Sequence, residues 1–120
     1  MLNRNKILKI GLIGFNKSNG HFFSYPAIIN GYNKKYFKKL KCPKILDYLE
    51  RQKKTDFSIK NAKVSFVWCQ NFDLSKKLSK ACNIENPIKN FREMLNKVNA
   101  VIIARDDWRS HIKLASFFLN

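Results

Sequence analysis

Residues 9–30, KIGLIGFNKSNGHFFSYPAIIN, join a short apolar run to a loop rich in glycine and asparagine and then to a helix-like segment. The apolar run begins at Ile7 and has the near-continuous hydrophobicity of a strand buried on both faces, as in a parallel sheet covered by helices. Gly14 opens the loop. Glycine and asparagine tolerate positive φ, and in such a loop they let the backbone approach a ligand closely. The stretch therefore predicts a first strand near 7–14 and a helix over 21–30.

The loop after this strand is suited to hold a pyrophosphate. The first amides of a helix lack partners within the helix and lie at the positive end of its dipole, so an anion is stabilised there. The dinucleotide-binding pattern G-x-G-x-x-G places glycines where this chain has Gly14, Asn16 and Asn19, with Gly20 one place late. An ordinary strand-to-helix turn without a ligand explains the same residues equally well.

Length and composition limit the class of protein. The 120-residue chain is long enough for one modest domain, and its 45% hydrophobic residues are placed periodically, which predicts a folded core. No stretch reaches membrane-spanning length, and no signal-peptide cleavage site follows the basic N-terminal residues. Cys42, Cys69 and Cys82 are odd in number and form no C-x-x-C pair, so neither a disulfide framework nor a zinc site is indicated. We therefore expect a cytoplasmic protein without metal and without a membrane partner.

The formal net charge of +16 would ordinarily suggest nucleic acid or an anionic surface as partner. Lysines are nevertheless spread along the whole chain among many Asn, Ile and Phe residues, a bias that AT-rich coding sequence produces without selection for binding. Because the lysines are spread in this way, we rank nucleic acid below a dinucleotide as the expected partner. Only 34–44, KKYFKKLKCPK, concentrates the charge between aromatic residues. An alternative function is therefore a polyanion-binding module that uses Lys34, Lys35, Lys38, Lys39 and Lys41.

Strand and helix patterns alternate along the rest of the chain. Apolar, β-rich runs predict strands near 63–69, 84–88 and 99–104, and Pro87 weakens the middle one. Residues 32–61 interrupt the alternation as a basic and helical insertion. Alternation of this kind favours parallel strands joined by right-handed crossovers. We therefore predict an α/β fold with a Rossmann-like open parallel sheet, helices on both faces, and the first and last strands central.

Three helix starts carry candidate caps. Asp73 is placed to cap a helix between the second and third strands. Asn90, with Glu93 three residues later, resembles a capping box ahead of the fourth strand. Ser110 or Asp107 is expected to cap a final helix.

Three segments carry a family resemblance: KIGLIGF with its loop, KVSFVWCQNFDLSKKLSKACNI, and FREMLNKVNAVIIARDDWRSHIKLASFFL. They resemble the N-terminal dinucleotide-binding domain of the glucose-fructose oxidoreductase and myo-inositol dehydrogenase (Gfo/Idh/MocA) family, and the likeness covers nearly the whole chain. Its most specific part is 98–111, where an apolar strand gives way to a polar turn and a histidine that opens a helix. The resemblance implies an oxidoreductase that uses NAD or NADP on sugars or polyols.

The resemblance also implies a cofactor site. Gln70 stands near the position of the family's ribose-binding acid, and because it is not a carboxylate it does not distinguish NAD from NADP. An ion pair of Arg105 with Asp106 or Asp107 is the structural alternative for these polar residues, as is a capping role for His111. No residue is assigned to catalysis. The cofactor-binding residues implied are Gly14, Phe15, Asn16, Asn19, Gly20, His21, Gln70, Arg105, Asp106 and His111.

The sequence stops before the family's Glu-Lys-Pro motif, which carries the catalytic lysine, and before the second domain that supplies the substrate site. We therefore expect a sheet incomplete at its C-terminal end, with an exposed edge at the strand near 99–104. A module of this kind should bind a dinucleotide without turning over a substrate alone. Its expected partners are a separate C-terminal domain chain or a second copy of itself. An inactive truncated remnant is the remaining alternative.

Overall fold

A computed structural model describes residues 6–14 and 19–119. Its strands are β1 (Leu8–Ile13), β2 (Ala62–Trp68), β3 (Asn86–Pro87) and β4 (Ala100–Ile103). They form one sheet in the order β3-β2-β1-β4, and all of the pairings are parallel. The prediction of an α/β fold with a Rossmann-like open parallel sheet is confirmed.

The helices are α1 (His21–Asn30), α2 (Lys34–Phe37), α3 (Pro43–Glu50), α4 (Phe72–Cys82) and α5 (Trp108–Leu119). Short 3₁₀ turns occur at Lys38–Leu40, Lys54–Asp56 and Phe91–Met94. Both α2 and α3 lie within 32–61, the segment expected to be a helical and basic insertion.

Both faces of the sheet are covered, because successive strand residues direct their side chains to opposite sides. On one face, Ile10 and Leu12 of β1 contribute to a core shared with α1, α2, α3 and α4. On the other face, Ile13 joins a second core with Met94 and with Leu114 of α5. The connections from β1 to β2 and from β2 to β3 therefore run on one face, and the connection from β3 to β4 runs on the other.

The position of β4 differs in part from the prediction. β1 is central, as expected, but β4 lies at the edge of the described sheet, so the prediction of a central last strand is wrong for the described residues. The outer side of β4 has no strand partner in the described part of the chain, and the expected exposed edge is therefore present. β3 is also shorter than 84–88, because Pro87 cannot donate to a strand ladder.

The cap of α4 also differs from the prediction. Asn71, rather than Asp73, is the N-cap, and its side chain accepts a hydrogen bond from the Leu74 N–H at 3.2 Å. The helix starts earlier than predicted, at Phe72, so Asp73 lies in its first turn. There its carboxylate is stabilised by the positive end of the helix dipole, and its Oδ2 atom lies 3.3 Å from Nζ of Lys77.

The other two caps agree with the prediction in position. Asn90 and Glu93 form the reciprocal bonds of a capping box, although they open a 3₁₀ turn rather than an α-helix. Asp107 directly precedes α5, and its carboxylate accepts a hydrogen bond from the Ser110 hydroxyl. Of the two candidates, Asp107 therefore occupies the cap position, and Ser110 lies in the first turn.

Candidate functional site

A crevice is expected at the carboxyl ends of β1 and β4, because the chain leaves these adjacent parallel strands toward opposite faces of the sheet. After β1 it enters α1, which belongs to the first core, and after β4 it enters α5, which belongs to the second. The ladder of backbone hydrogen bonds continues to the carboxyl ends of these strands, since the Gly14 N–H donates to the Trp68 carbonyl at 3.0 Å. The Ala104 N–H likewise donates to the Ile13 carbonyl at 2.7 Å.

Gly14 brings α1 close to the end of β1. A Cβ atom at this position would lie 2.7 Å from Cγ of Phe22, and closer still to Cδ1, which is far inside van der Waals contact. Phe22 is fully buried in the core beneath α1. The missing side chain therefore allows the helix to start beside the strand end. Phe15 and Asn16, also predicted at the pyrophosphate, lie outside the described residues.

Asn19 ties the start of α1 to the turn after β4. Its side chain is 8% exposed, and its Oδ1 atom accepts a hydrogen bond from the His21 N–H at 2.9 Å. Its Nδ2 atom donates to Oδ1 of Asp106 at 2.9 Å. Two predicted site residues that are 87 positions apart in sequence are thus bonded to each other beside the carboxyl ends of β1 and β4.

Gly20 and His21 begin α1 as predicted. Gly20 is the N-cap and supplies no side-chain cap, and a Cβ atom there would lie 2.9 Å from Cδ1 of Ile45 in α3. His21 is exposed and stacks on Tyr25, with ring centroids 4.5 Å apart and planes 15° from parallel. Sequence reasoning did not identify Tyr25, although its spacing of four residues from His21 places both on one helix face.

The Arg105 side chain extends across the carboxyl ends of the strands. Its guanidinium donates from Nε to Oδ1 of Asp107 at 2.9 Å and from Nη1 to Oε1 of Gln70 at 3.0 Å. The side chain is only 13% exposed. Because Gln70 follows β2 and Arg105 follows β4, this bridge passes across the end of β1 between them. Gln70 and Arg105, both named as candidate cofactor-binding residues, are therefore bonded to each other.

The two aspartates after β4 have different partners. The Arg105 guanidinium, followed by the Ser110 hydroxyl, lowers the pKa of Asp107 to about 2, so this carboxylate is ionised at neutral pH. The ion pair proposed as a structural alternative is thus formed with Asp107, whereas Asp106 bonds Asn19. His111 lies near the start of α5, half-buried, and its N–H donates to the Asp107 carbonyl at 3.1 Å.

The three cysteines are free thiols, and Cys69 and Cys82 are buried. Burial raises the pKa of the Cys42 thiol to about 11 and also raises the pKa values of Cys69 and Cys82. Only the thiolate reacts readily with alkylating agents. Within the described ranges, no group of three or more His, Cys, Asp or Glu side chains is arranged to hold a metal ion.

We expect iodoacetamide to label the folded protein very slowly at pH 8. With a pKa of about 11, the Cys42 thiolate is about one part in a thousand at that pH, and its labelling should accelerate about tenfold per pH unit up to pH 10. Mass spectrometry of the native protein and of protein in 6 M guanidinium measures the difference. Complete native labelling at Cys42 within minutes at pH 8 would contradict the assignment.

The described residues define an α/β protein with a Rossmann-like open parallel sheet. None of the described helices is both long enough and apolar enough to cross a membrane. Comparisons with protein-family models, with curated proteins and with solved structures found no match to this chain. Its activity must therefore be inferred from the geometry of its own site.

Proposed function

We propose that this protein is the dinucleotide-binding module of an oxidoreductase and that it holds NAD or NADP where β1 and β4 end. The observation that carries the proposal is a topological switch point: the chain leaves the neighbouring strands β1 and β4 toward opposite faces of the sheet. Arg105 lies at the carboxyl ends of the same strands. In open α/β sheets a dinucleotide binds at such a switch, and its pyrophosphate contacts the helix that follows the first strand. The resemblance to the Gfo/Idh/MocA family extends the proposal to sugars or polyols as substrates.

The start of α1 supports binding of the pyrophosphate. The ten-residue helix has no acidic residue in its first turn, so no charged side chain there neutralises the positive end of its dipole. A phosphate at this position gains from the dipole, and it competes with the Asn19 side chain for the His21 N–H. Gly20 adds no side chain that would obstruct its approach.

Arg105 supports binding of a second anionic group. A guanidinium is charged at every physiological pH and bonds phosphate oxygens with two parallel N–H groups. Asp107 accepts two hydrogen bonds from this guanidinium, so an incoming phosphate competes with Asp107 for Arg105. Gln70 places no negative charge beside the guanidinium, so the 2′-phosphate of NADP meets no repelling carboxylate from that residue.

We expect Arg105→Gln to weaken dinucleotide binding about tenfold or more, because hydrogen bonds to charged groups contribute about 1.5–3 kcal/mol. Titration of NADH and NADPH by fluorescence measures the two dissociation constants. Arg51→Gln is the matched control, because Arg51 directly follows α3, is exposed, and pairs with Asp47 of α3 rather than with a residue at the strand ends. It removes the same charge and should leave both constants within about twofold.

The pattern of loss identifies the contacted group. Equal weakening for NADH and NADPH assigns Arg105 to the pyrophosphate, whereas weakening for NADPH alone assigns it to the 2′-phosphate. Circular dichroism of each variant verifies that the fold is retained. The proposal fails if the unaltered protein shows no saturable binding at millimolar cofactor, or if Arg105→Gln binds as tightly as Arg51→Gln.

A further inference from the structure

A groove between α2 and α4 gathers lysines from two distant parts of the sequence. It has a volume of about 290 Å³. One of its lysines lies in the 3₁₀ turn after α2 and three lie on α4, and all four are exposed. The groove is lined by Tyr36, Lys39, Asp73, Lys76, Lys77 and Lys80.

The groove keeps a strong positive charge. Asp73 is its single acidic lining residue and pairs with Lys77 at 3.3 Å. Lys39, Lys76 and Lys80 therefore face the groove without a carboxylate of the lining to neutralise them. An anion that enters meets three lysines whose charges repel one another, and its binding relieves that repulsion.

Local contacts hold the two walls of the groove in place. Asn33 caps α2 by accepting a hydrogen bond from the Tyr36 N–H at 3.3 Å, and its own N–H donates to the Ala81 carbonyl of α4 at 2.8 Å. Phe37, the next residue of α2, is fully buried in the core beneath. The lysines thus project from α4 and from the 3₁₀ turn after α2, whose backbones are held together by these contacts, which lowers the entropy cost of binding.

Aromatic rings lie among these lysines. The Nζ atom of Lys39 is 5.3 Å from the ring centroid of Tyr36. At the start of α4, the Nζ atoms of Lys76 and Lys89 are 5.3 and 5.1 Å from the ring centroid of Phe72. Alternation of cations with partly exposed rings is what proteins use to bind single-stranded nucleic acid, with phosphates on the cations and bases stacked on the rings.

We propose that this groove binds single-stranded nucleic acid, independently of the dinucleotide site at the edge of the sheet. Phosphates contact Lys39, Lys76 and Lys80, and a base stacks on Tyr36. Duplex nucleic acid keeps its bases stacked internally and cannot use the ring. A membrane surface fits less well, because none of the large apolar side chains that are exposed in the described chain lines the groove, whereas peripheral membrane sites insert such side chains.

A labelled twelve-nucleotide oligothymidylate tests the charge contacts by fluorescence anisotropy with the whole chain. The groove variant combines Lys39→Gln, Lys76→Gln and Lys80→Gln, and the control combines Lys60→Gln, Lys97→Gln and Lys113→Gln at exposed positions elsewhere. At 0.1 M salt we expect the groove variant to lose about 100-fold in affinity, and its salt slope to fall by about two. The control should lose no more than about threefold.

Tyr36→Leu tests the base contact while retaining apolar bulk. We expect it to weaken binding by about fivefold or more with an unchanged salt slope, because stacking does not release counterions. Equal losses in the two triple variants would overturn the proposal, since binding would then follow net charge alone. An unchanged affinity in Tyr36→Leu would overturn it as well. So would tighter groove-dependent binding of a twelve-base-pair duplex or of vesicles containing anionic lipid.

Discussion

Replacing Gly14 by alanine is expected to lower the free energy of unfolding by about 3 kcal/mol, because it places a methyl group inside a packed contact. The new Cβ atom would lie 2.7 Å from Cγ of Phe22 and 3.0 Å from Cε1. Phe22 is fully buried and packs edge-on against Phe23 at 5.5 Å, so a shift of its rigid ring disturbs the surrounding core. Urea denaturation followed by circular dichroism measures the loss.

Gly11→Ala in β1, the strand that Gly14 directly follows, is the matched control. Its Cβ atom would lie 2.5 Å from the sulfur of Met94, a flexible and unbranched side chain that can rearrange, so we expect a loss of only about 1 kcal/mol. Phe22→Leu should also partly rescue Gly14→Ala, because the smaller side chain removes the ring that the methyl group meets. Equal losses for the two glycines, or additive losses in the double variant, would contradict this account.

The close contact between Gly14 and Phe22 gives this glycine a structural role of its own. Gly14 occupies the first glycine position of the dinucleotide-binding pattern, where a tight turn is usually the reason for the residue. Here the distance to Phe22 requires glycine whether or not a ligand binds. A glycine at this position therefore indicates a close strand-helix contact, and the proposal of a cofactor site depends on Arg105 and the strand order instead.

The sheet was predictable because the apolar runs of β1 and β4 are nearly continuous, as strands covered on both faces require, and because β2 is rich in β-branched and aromatic residues. The alternation of strands and helices then limits the connections to parallel crossovers. The cap of α4 was not predictable in the same way. Asn71 and Asp73 are both good capping residues, and the choice between them depends on where β2 ends and the chain turns.

The site was predictable in composition but not in its contacts. Gly14, Gly20 and Gln70 could be placed because they follow strands or begin a helix. The bonds from Arg105 to Gln70 and from Asn19 to Asp106 join residues 35 and 87 positions apart, and no local pattern encodes such contacts. The same limit applies to the lysine groove, since Lys39 lies far in sequence from the lysines of α4 and joins them only when α2 packs on α4.

Asn30 is a structural residue that the sequence did not indicate, and it sits where three elements meet. Its Nδ2 atom donates to the Val64 carbonyl at 2.9 Å and to the Cys82 carbonyl at 3.0 Å. Its Oδ1 atom accepts from the Val64 N–H at 2.9 Å. One amide side chain thus joins the last residue of α1 to β2 and to the end of α4.

We expect Asn30→Ala to lower the free energy of unfolding by about 3 kcal/mol, because it leaves the N–H and carbonyl of Val64 without these partners in a part-buried site. Thermal and urea denaturation measure the change. Asn33→Ala is the matched control, since Asn33 is exposed and its side chain makes a single cap bond to a short helix, and it should cost about 1 kcal/mol.

Asn30→Asp distinguishes the hydrogen bonds from simple loss of volume. The introduced carboxylate has the shape of the amide but no N–H, so when ionised it directs an oxygen at the carbonyls of Val64 and Cys82. That repulsion raises the pKa of the new group above its unfolded value and makes the variant less stable than Asn30→Ala at pH 7. Protonation restores one donor, so the stability of Asn30→Asp relative to Asn30→Ala should increase as the pH falls from 7 toward 4. A difference between the two variants that stays constant over this range would show that the amide N–H bonds do not determine the stability of this junction.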